Sequence, residues 1–165
     1  MRLLASTDYA LRVLMMLASA PEDARISVDR LARTLGGLSR NHLHKIVQEL
    51  TALGVTRTTR GTGGGVALAV SPETVRLGSL LRQLEADQPM VECFRKDGSS
   101  CPMRPACRLR TMLGAARDRF YESLEAFTLA DCAAQELLAG QRQDDVFTAL
   151  KPGPAENAPA LRIAT

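Results

Sequence analysis

Residues 27–54 hold two short helical repeats joined by a glycine turn, and this arrangement limits the folds open to the chain. Ser27 precedes Val28, Leu31, Ala32 and Leu35 at helical spacing, and Gly36-Gly37 stops that run. Ser39 then caps a second helix, whose apolar residues are Leu43, Ile46, Val47, Leu50 and Leu53, with Gly54 ending it. Two short helices joined by a tight glycine turn form a helix-turn-helix pattern. Immediately after, Val55 to Arg60 is rich in β-branched residues, Gly61 to Gly65 supplies a turn, and Val66, Leu68 and Val70 alternate with small residues. A β-hairpin in that place makes the unit a winged helix. The glycine run is not a dinucleotide loop, because G-x-G-x-x-G fails at Val66 and a strand follows.

The outer face of the second helix carries Arg40, Asn41, His44, Lys45 and Gln48. Arg and Lys suit guanine edges and phosphates, Asn and Gln suit adenine. On a lone helix the same residues would read as a solvated polar face; the hairpin that follows favours DNA. Arg57 and Arg60 are expected near the hairpin tip. The first 70 residues hold nine basic and five acidic side chains within a net charge of +3, which is compatible with phosphate contact.

Ahead of this unit, residues 8–19 place Leu11, Leu14 and Ala18 on one helical face, with Ser6 or Thr7 as cap. Behind it come a short helix at 78–86 bearing Leu80, Leu81 and Leu84, a loop at 87–104, and a long helix over 105–126. The long helix is striped by Leu109, Leu113, Ala116, Phe120, Leu124 and Phe127, and Gly114 within it suggests a second helix packed close. Thr128 caps a last helix. The stripe has too few partners in its own chain, so pairing with a second copy is expected, giving a two-fold symmetric DNA reader. Four segments result: a winged helix at 1–72, a connecting helix and cysteine loop at 73–104, a dimerisation helix and C-terminal helix at 105–140, and a disordered tail at 141–165.

The longest apolar run, Val13 to Ala18, is six residues, far below the roughly 20 of a membrane span. Asp8 and Arg12 interrupt what would be the apolar region of a leader, so a cytoplasmic protein is expected. There disulfides are rare, and Cys93-x7-Cys101-x5-Cys107 reads as a metal-ligand set. Three soft thiolates on a loop suit an iron–sulfur cluster; from spacing alone structural zinc stays open. Cys132 falls at a helical offset matching Leu129 and Ala133 and reads as a core residue. Nothing brings it to His42 or His44 for nucleophilic chemistry, so no enzyme is expected.

Six motifs carry a family resemblance: Thr7-Asp8-Tyr9-Ala10-Leu11-Arg12, Ser39-Arg40-Asn41-His42-Leu43, Arg60-Gly61 with Gly64-Gly65, Val91-Glu92-Cys93-Phe94, Pro105-Ala106-Cys107-Arg108-Leu109, and Thr128-Leu129-Ala130-Asp131. In this order and spacing, over residues 1–140, the chain resembles the bacterial winged-helix regulators that include NsrR-type nitric-oxide sensors and IscR-type cluster-assembly regulators. The turn from Ala32 to Ser39 has one glycine more than the family's usual A-x3-G-V-S. Arg110 stands where the cluster-assembly type has a histidine, and Asp8 with Ser39-Arg40-Asn41-His42 matches the nitric-oxide sensors.

The resemblance implies a dimeric repressor that binds double-stranded operator DNA and controls nitric-oxide stress genes. It implies a 4Fe–4S cluster (2Fe–2S after oxidation) on Cys93, Cys101 and Cys107 that nitric oxide destroys. It further implies Asp8 as fourth ligand, supplied by the other subunit. Arg12, one turn after Asp8, is placed to hold that carboxylate as an i,i+4 pair. Read without the family, Asp8 is a residue favouring a helix start. The alternative within the family is a regulator responding to iron or cluster status.

Overall fold

A computed structural model describes residues 3–21, 24–36, 38–61, 63–95, 101–103 and 106–133. Among these the chain is mainly helical. Its elements are α1 (Ala5–Ala18), α2 (Val28–Thr34), α3 (Arg40–Ala52), β1 (Thr56–Thr59), β2 (Gly65–Leu68), α4 (Leu77–Leu84), α5 (Arg108–Glu125) and α6 (Leu129–Cys132). Single 3-10 turns lie at Pro72–Thr74 and Glu92–Phe94. The expected tail, 141–165, lies outside the described residues. No described helix is long and apolar enough to cross a membrane.

The helix-turn-helix forms for the reasons its sequence states. Ser27 accepts a hydrogen bond from the Arg30 backbone nitrogen, and Ser39 accepts one from that of His42, so each helix starts on its own cap. Gly36 ends α2 at φ +80°, a conformation that penalises any residue with a Cβ. Leu31 of α2 and Leu43, Ile46 and Leu50 of α3 are fully buried together with Leu14 of α1 and Val66 of β2. Burial of each such leucine contributes about 2 kcal/mol.

α1 departs from expectation. It begins at Ala5 after Leu4, without a side-chain cap, and neither Ser6 nor Thr7 caps it. Thr7 is instead buried, and its Oγ1 has no hydrogen-bond partner among the described residues. The fully buried face is Ala10, Val13, Leu14 and Leu17, while Leu11, Met15 and Ala18 are only partly covered. The physical reason is that α1 packs on α3, β2 and α6 at once, so its covered surface is wider than a single stripe.

β1 and β2 pair antiparallel with Arg57 opposite Ala67 and Thr59 opposite Gly65. Ile26 adds a bridge on Val66 through two backbone hydrogen bonds of 2.9 Å, tying the start of the helix-turn-helix to the wing. A second link fixes the wing to α3. Thr51 Oγ1 donates to the Val47 carbonyl at 2.7 Å, so in its 3.0 Å contact with the buried Thr56 the Thr56 hydroxyl donates.

The chain returns to this core at its far end. Leu77 donates to the Phe127 carbonyl and Leu129 to that of Val75, placing Leu129, fully buried, in the same hydrophobic cluster as α1 and α3. Thr128 and Asp131 form a capping box that starts α6 at this point.

α4 meets α5 at Gly78. A Cβ there would collide with the Tyr121 carbonyl oxygen and the Glu125 backbone nitrogen. Tyr121, which lies off the expected stripe, is the buried residue of α5. Ser79 Oγ donates to Glu125 Oε1 at 2.8 Å, and Arg82 reaches Asp118 at 3.3 Å while stacking over Tyr121. Gly78→Ala is expected to cost about 3 kcal/mol through forced separation of two backbones. A lower urea or thermal unfolding midpoint measures it; an unchanged midpoint would show that α4 and α5 are not held this closely.

Candidate functional site

One face of α3 is buried through Leu43, Ile46, Val47 and Leu50, so the opposite face must meet solvent. Arg40, Asn41, His44, Lys45 and Gln48 are all exposed there. Arg40 Nε makes a 2.7 Å ion pair with Asp29 of α2. His42, which the sequence does not single out for DNA contact, is exposed on the first turn and meets the Tyr9 ring edge-on at 6.3 Å between centroids. Neither contact has a local sequence signal, because the partners lie on different helices.

The wing divides the two arginines expected at its tip. Arg60 follows β1 and is exposed beside Gly61 and Gly63, both at positive φ. Arg57 is not at the tip. β1 starts at Thr56, which leaves Arg57 at the base of the hairpin, with Nη1 donating to the Leu68 carbonyl at 2.7 Å.

Cys93 sits in the 3-10 turn at Glu92–Phe94, and Cys107 is the residue from which α5 starts. These two and Cys101 are half-buried and outside any disulfide. The turn is pinned to α5 by Phe94. Its ring lies 5.6 Å from the Arg110 guanidinium and 5.2 Å from that of Arg117, and Arg110 Nε donates to the Cys93 carbonyl at 3.3 Å. The Phe94 ring also approaches Gly114, where a Cβ would stand 3.8 Å from it. That is ordinary contact distance, so Phe94 packs beside Gly114 without requiring a glycine there. Arg117, followed by Arg82, holds the Asp118 carboxyl below the usual carboxylate range on the same side of α5.

Among the described residues no three His, Cys, Asp or Glu side chains gather into a metal-holding group. The three thiols therefore share a segment but are not assembled around a common centre; residues 96–100 and 104–105 between them lie outside the described set. The donor chemistry fits an iron–sulfur cluster nonetheless. The three thiols are soft donors outside any disulfide, and Cys107 stands at the positive end of α5, where an anionic group is favoured.

Asp8 is on α1 and, among the described residues, joins no metal-holding group with the cysteines of its own chain. Its carboxylate pairs with Arg12 at 3.0 Å, and the Arg12 guanidinium also lies 6.0 Å from the Tyr9 ring centroid. Cys132 is half-buried on α6, and burial, with Asp131 adding, pushes its thiol pKa up. A protonated thiol is a poor metal ligand. Leu109 and Met112 on α5, and Phe127 just after its end, stay 60%, 63% and 40% exposed, a large apolar surface for a protein to leave in water.

Comparison with known proteins gives a consistent result. The family model Rrf2, described as an iron-dependent transcriptional regulator, matches residues 3–135. The HTH-type transcriptional regulator NsrR of Halalkalibacterium halodurans is 38% identical over 152 residues, covering 92% of this chain and 100% of that protein. NsrR of Bacillus subtilis is 34% identical over 151 residues, covering 92% and 98%. Among solved structures, CymR (YrzC), the global cysteine regulator of B. subtilis, aligns with a TM-score of 0.61 at 28% identity, covering 81% of this chain and 96% of that one. T. potens IscR aligns with a TM-score of 0.64 at 20% identity, covering 89% and 96%, a likeness of fold.

Proposed function

The chain belongs to the Rrf2 family of transcriptional regulators, and from that premise we propose that it is a dimeric repressor sensing nitric oxide through an iron–sulfur cluster. The observation that carries this reading is the segment of three cysteines, none in a disulfide, pinned to α5 through Phe94, in a chain whose relatives bear the name NsrR. Cys93, Cys101 and Cys107 would hold the cluster, with Asp8 of the partner subunit as fourth ligand. A 4Fe–4S cluster bound there supplies iron that reacts with nitric oxide, the more readily where a hard carboxylate replaces a thiolate.

The chain's own residues supply the rest. Arg12 holds the Asp8 carboxylate in one orientation. Tyr9, the next residue after Asp8, touches His42 on the first turn of α3, so a change in how Asp8 is held passes to the recognition helix. The exposed face of α3 and Arg60 on the wing read operator DNA, whose half-sites stand one or two helical turns apart. A second copy covers the α5 face. Leu109→Glu with Met112→Glu is expected to convert a dimer into a monomer in light scattering; an unaltered dimer would place the interface elsewhere. Regulation of nitric-oxide stress genes follows from this reading.

The test is anaerobic purification with iron, sulfide and zinc analysis, then a DNA-shift assay before and after nitric oxide. Four irons and four sulfides per chain and loss of the shift with nitric oxide are expected. Zinc in their place, or a shift indifferent to nitric oxide, would reject the reading. The family description names iron dependence, which favours a second reading in which iron status is the signal. Release of DNA by an iron chelator alone, with no response to nitric oxide, would select it.

Asp8→Ala, purified without oxygen, is expected to assemble a cluster on three cysteines with altered circular dichroism and an altered rate of reaction with nitric oxide. Spectra and kinetics identical to the parent would leave Asp8 as a helix-start residue only.

A further inference from the structure

Arg40, the first residue of α3, places its Nε 2.7 Å from Oδ1 of Asp29, the second residue of α2. Both side chains stay open to solvent, at 69% and 45% exposure. An ion pair so exposed adds little to stability. An acid beside a surface that faces phosphates also weakens DNA binding in general. Attraction to DNA is therefore a poor reason for Asp29 to stand here, and its place in the first turn of α2 gives it only a modest part in stability.

The geometry of the contact suggests another use. A guanidinium binds acceptors along two edges, one containing Nε and one formed by the two Nη groups. Contact at Nε leaves the Nη edge, the fork that matches O6 and N7 of guanine. The carboxylate also restricts a long side chain before binding, so less rotamer freedom is lost when DNA arrives. We infer that Asp29 is a positioning residue for sequence readout: it presents Arg40 for bidentate recognition of one guanine in each half-site. This rests on the DNA-binding reading above, and it makes Asp29 a determinant of which sequence is bound more than of how tightly.

The test is selection from a pool of randomised double-stranded oligonucleotides by the full-length protein prepared without oxygen, with bound duplexes sequenced and the unfolding midpoint measured for each variant. The parent is expected to enrich an inverted repeat. Asp29→Ala should lose roughly tenfold of the preference at one base pair per half-site and keep the others. Asp29→Asn retains an oxygen acceptor for Nε. It should keep that preference while binding all sequences roughly twofold more tightly, since a negative charge is gone. Arg40→Ala should lose the same preference, with no further loss on adding Asp29→Ala. An Asp29 that merely braced α2 against α3 would lower the unfolding midpoint and weaken every base position together. That result, or an Asp29→Ala preference equal to the parent's, overturns the positioning role and leaves the DNA-binding reading in place. A parent that enriches no sequence overturns both.

Discussion

Alanine at Cys93, Cys101 or Cys107 is expected to abolish or badly impair the visible absorbance of the anaerobically purified protein, whereas Cys132→Ala should retain it. The separation follows from where the four thiols stand. Cys93 hangs on a turn anchored to α5 by Phe94, Cys101 lies between, and Cys107 begins α5, so all three belong to one loop. Cys132 lies on α6, behind the Thr128–Asp131 capping box and next to Leu129 of the core. Burial, with Asp131 adding, raises its thiol pKa. Metal analysis accompanies the spectra, because zinc bound by the same three cysteines would give no colour at all. Disappearance of the absorbance in Cys132→Ala, with retention in one of the loop variants, would reverse the assignment.

Simultaneous alanine substitution of Arg40, Asn41, Lys45 and Arg60 is expected to lower operator affinity by roughly 10³-fold or more, given about 1–3 kcal/mol for each good base contact. The slope of affinity against salt also falls, by about one for each phosphate that is no longer neutralised. All four side chains are exposed, and the apolar face that holds α3 in place is untouched. The unfolding midpoint should therefore stay close to the parent's, since exposed substitutions typically change stability by about 0.5 kcal/mol or less. Affinity equal to the parent's at low and high salt would remove this surface from the interface. Arg57 does not belong to the set, because its guanidinium is committed to the Leu68 carbonyl at the base of the wing.

Sequence by itself determined those parts of the molecule whose causes act over three or four residues. Ser27 and Ser39 reach the backbone of their own first turns, Gly36 and Gly54 take the positive φ that stops each helix, and Thr128 finds Asp131 three residues on. Periodicity likewise located Leu43, Ile46, Val47 and Leu50 on the inner face of α3, and thereby the polar residues on its outer face. The candidate cysteines were legible because thiols are rare and chemically distinct.

Tertiary structure alone decided what depends on partners far along the chain. The start of α1 and the burial of Thr7 follow from packing on three elements at once. Leu129 completes a core built mostly more than 50 residues earlier, a match that no local pattern encodes. Phe94 packs beside Gly114, Gly78 receives the backbone of α5, and Tyr121, off the apolar stripe, is the α5 residue that α4 covers. Arg40 and Asp29 meet only because the glycine turn sets one helix across the other. Helical spacing reports which side of an element is apolar; which neighbour covers that side, and which polar group stands opposite a given polar group, is set by how the elements are placed in space.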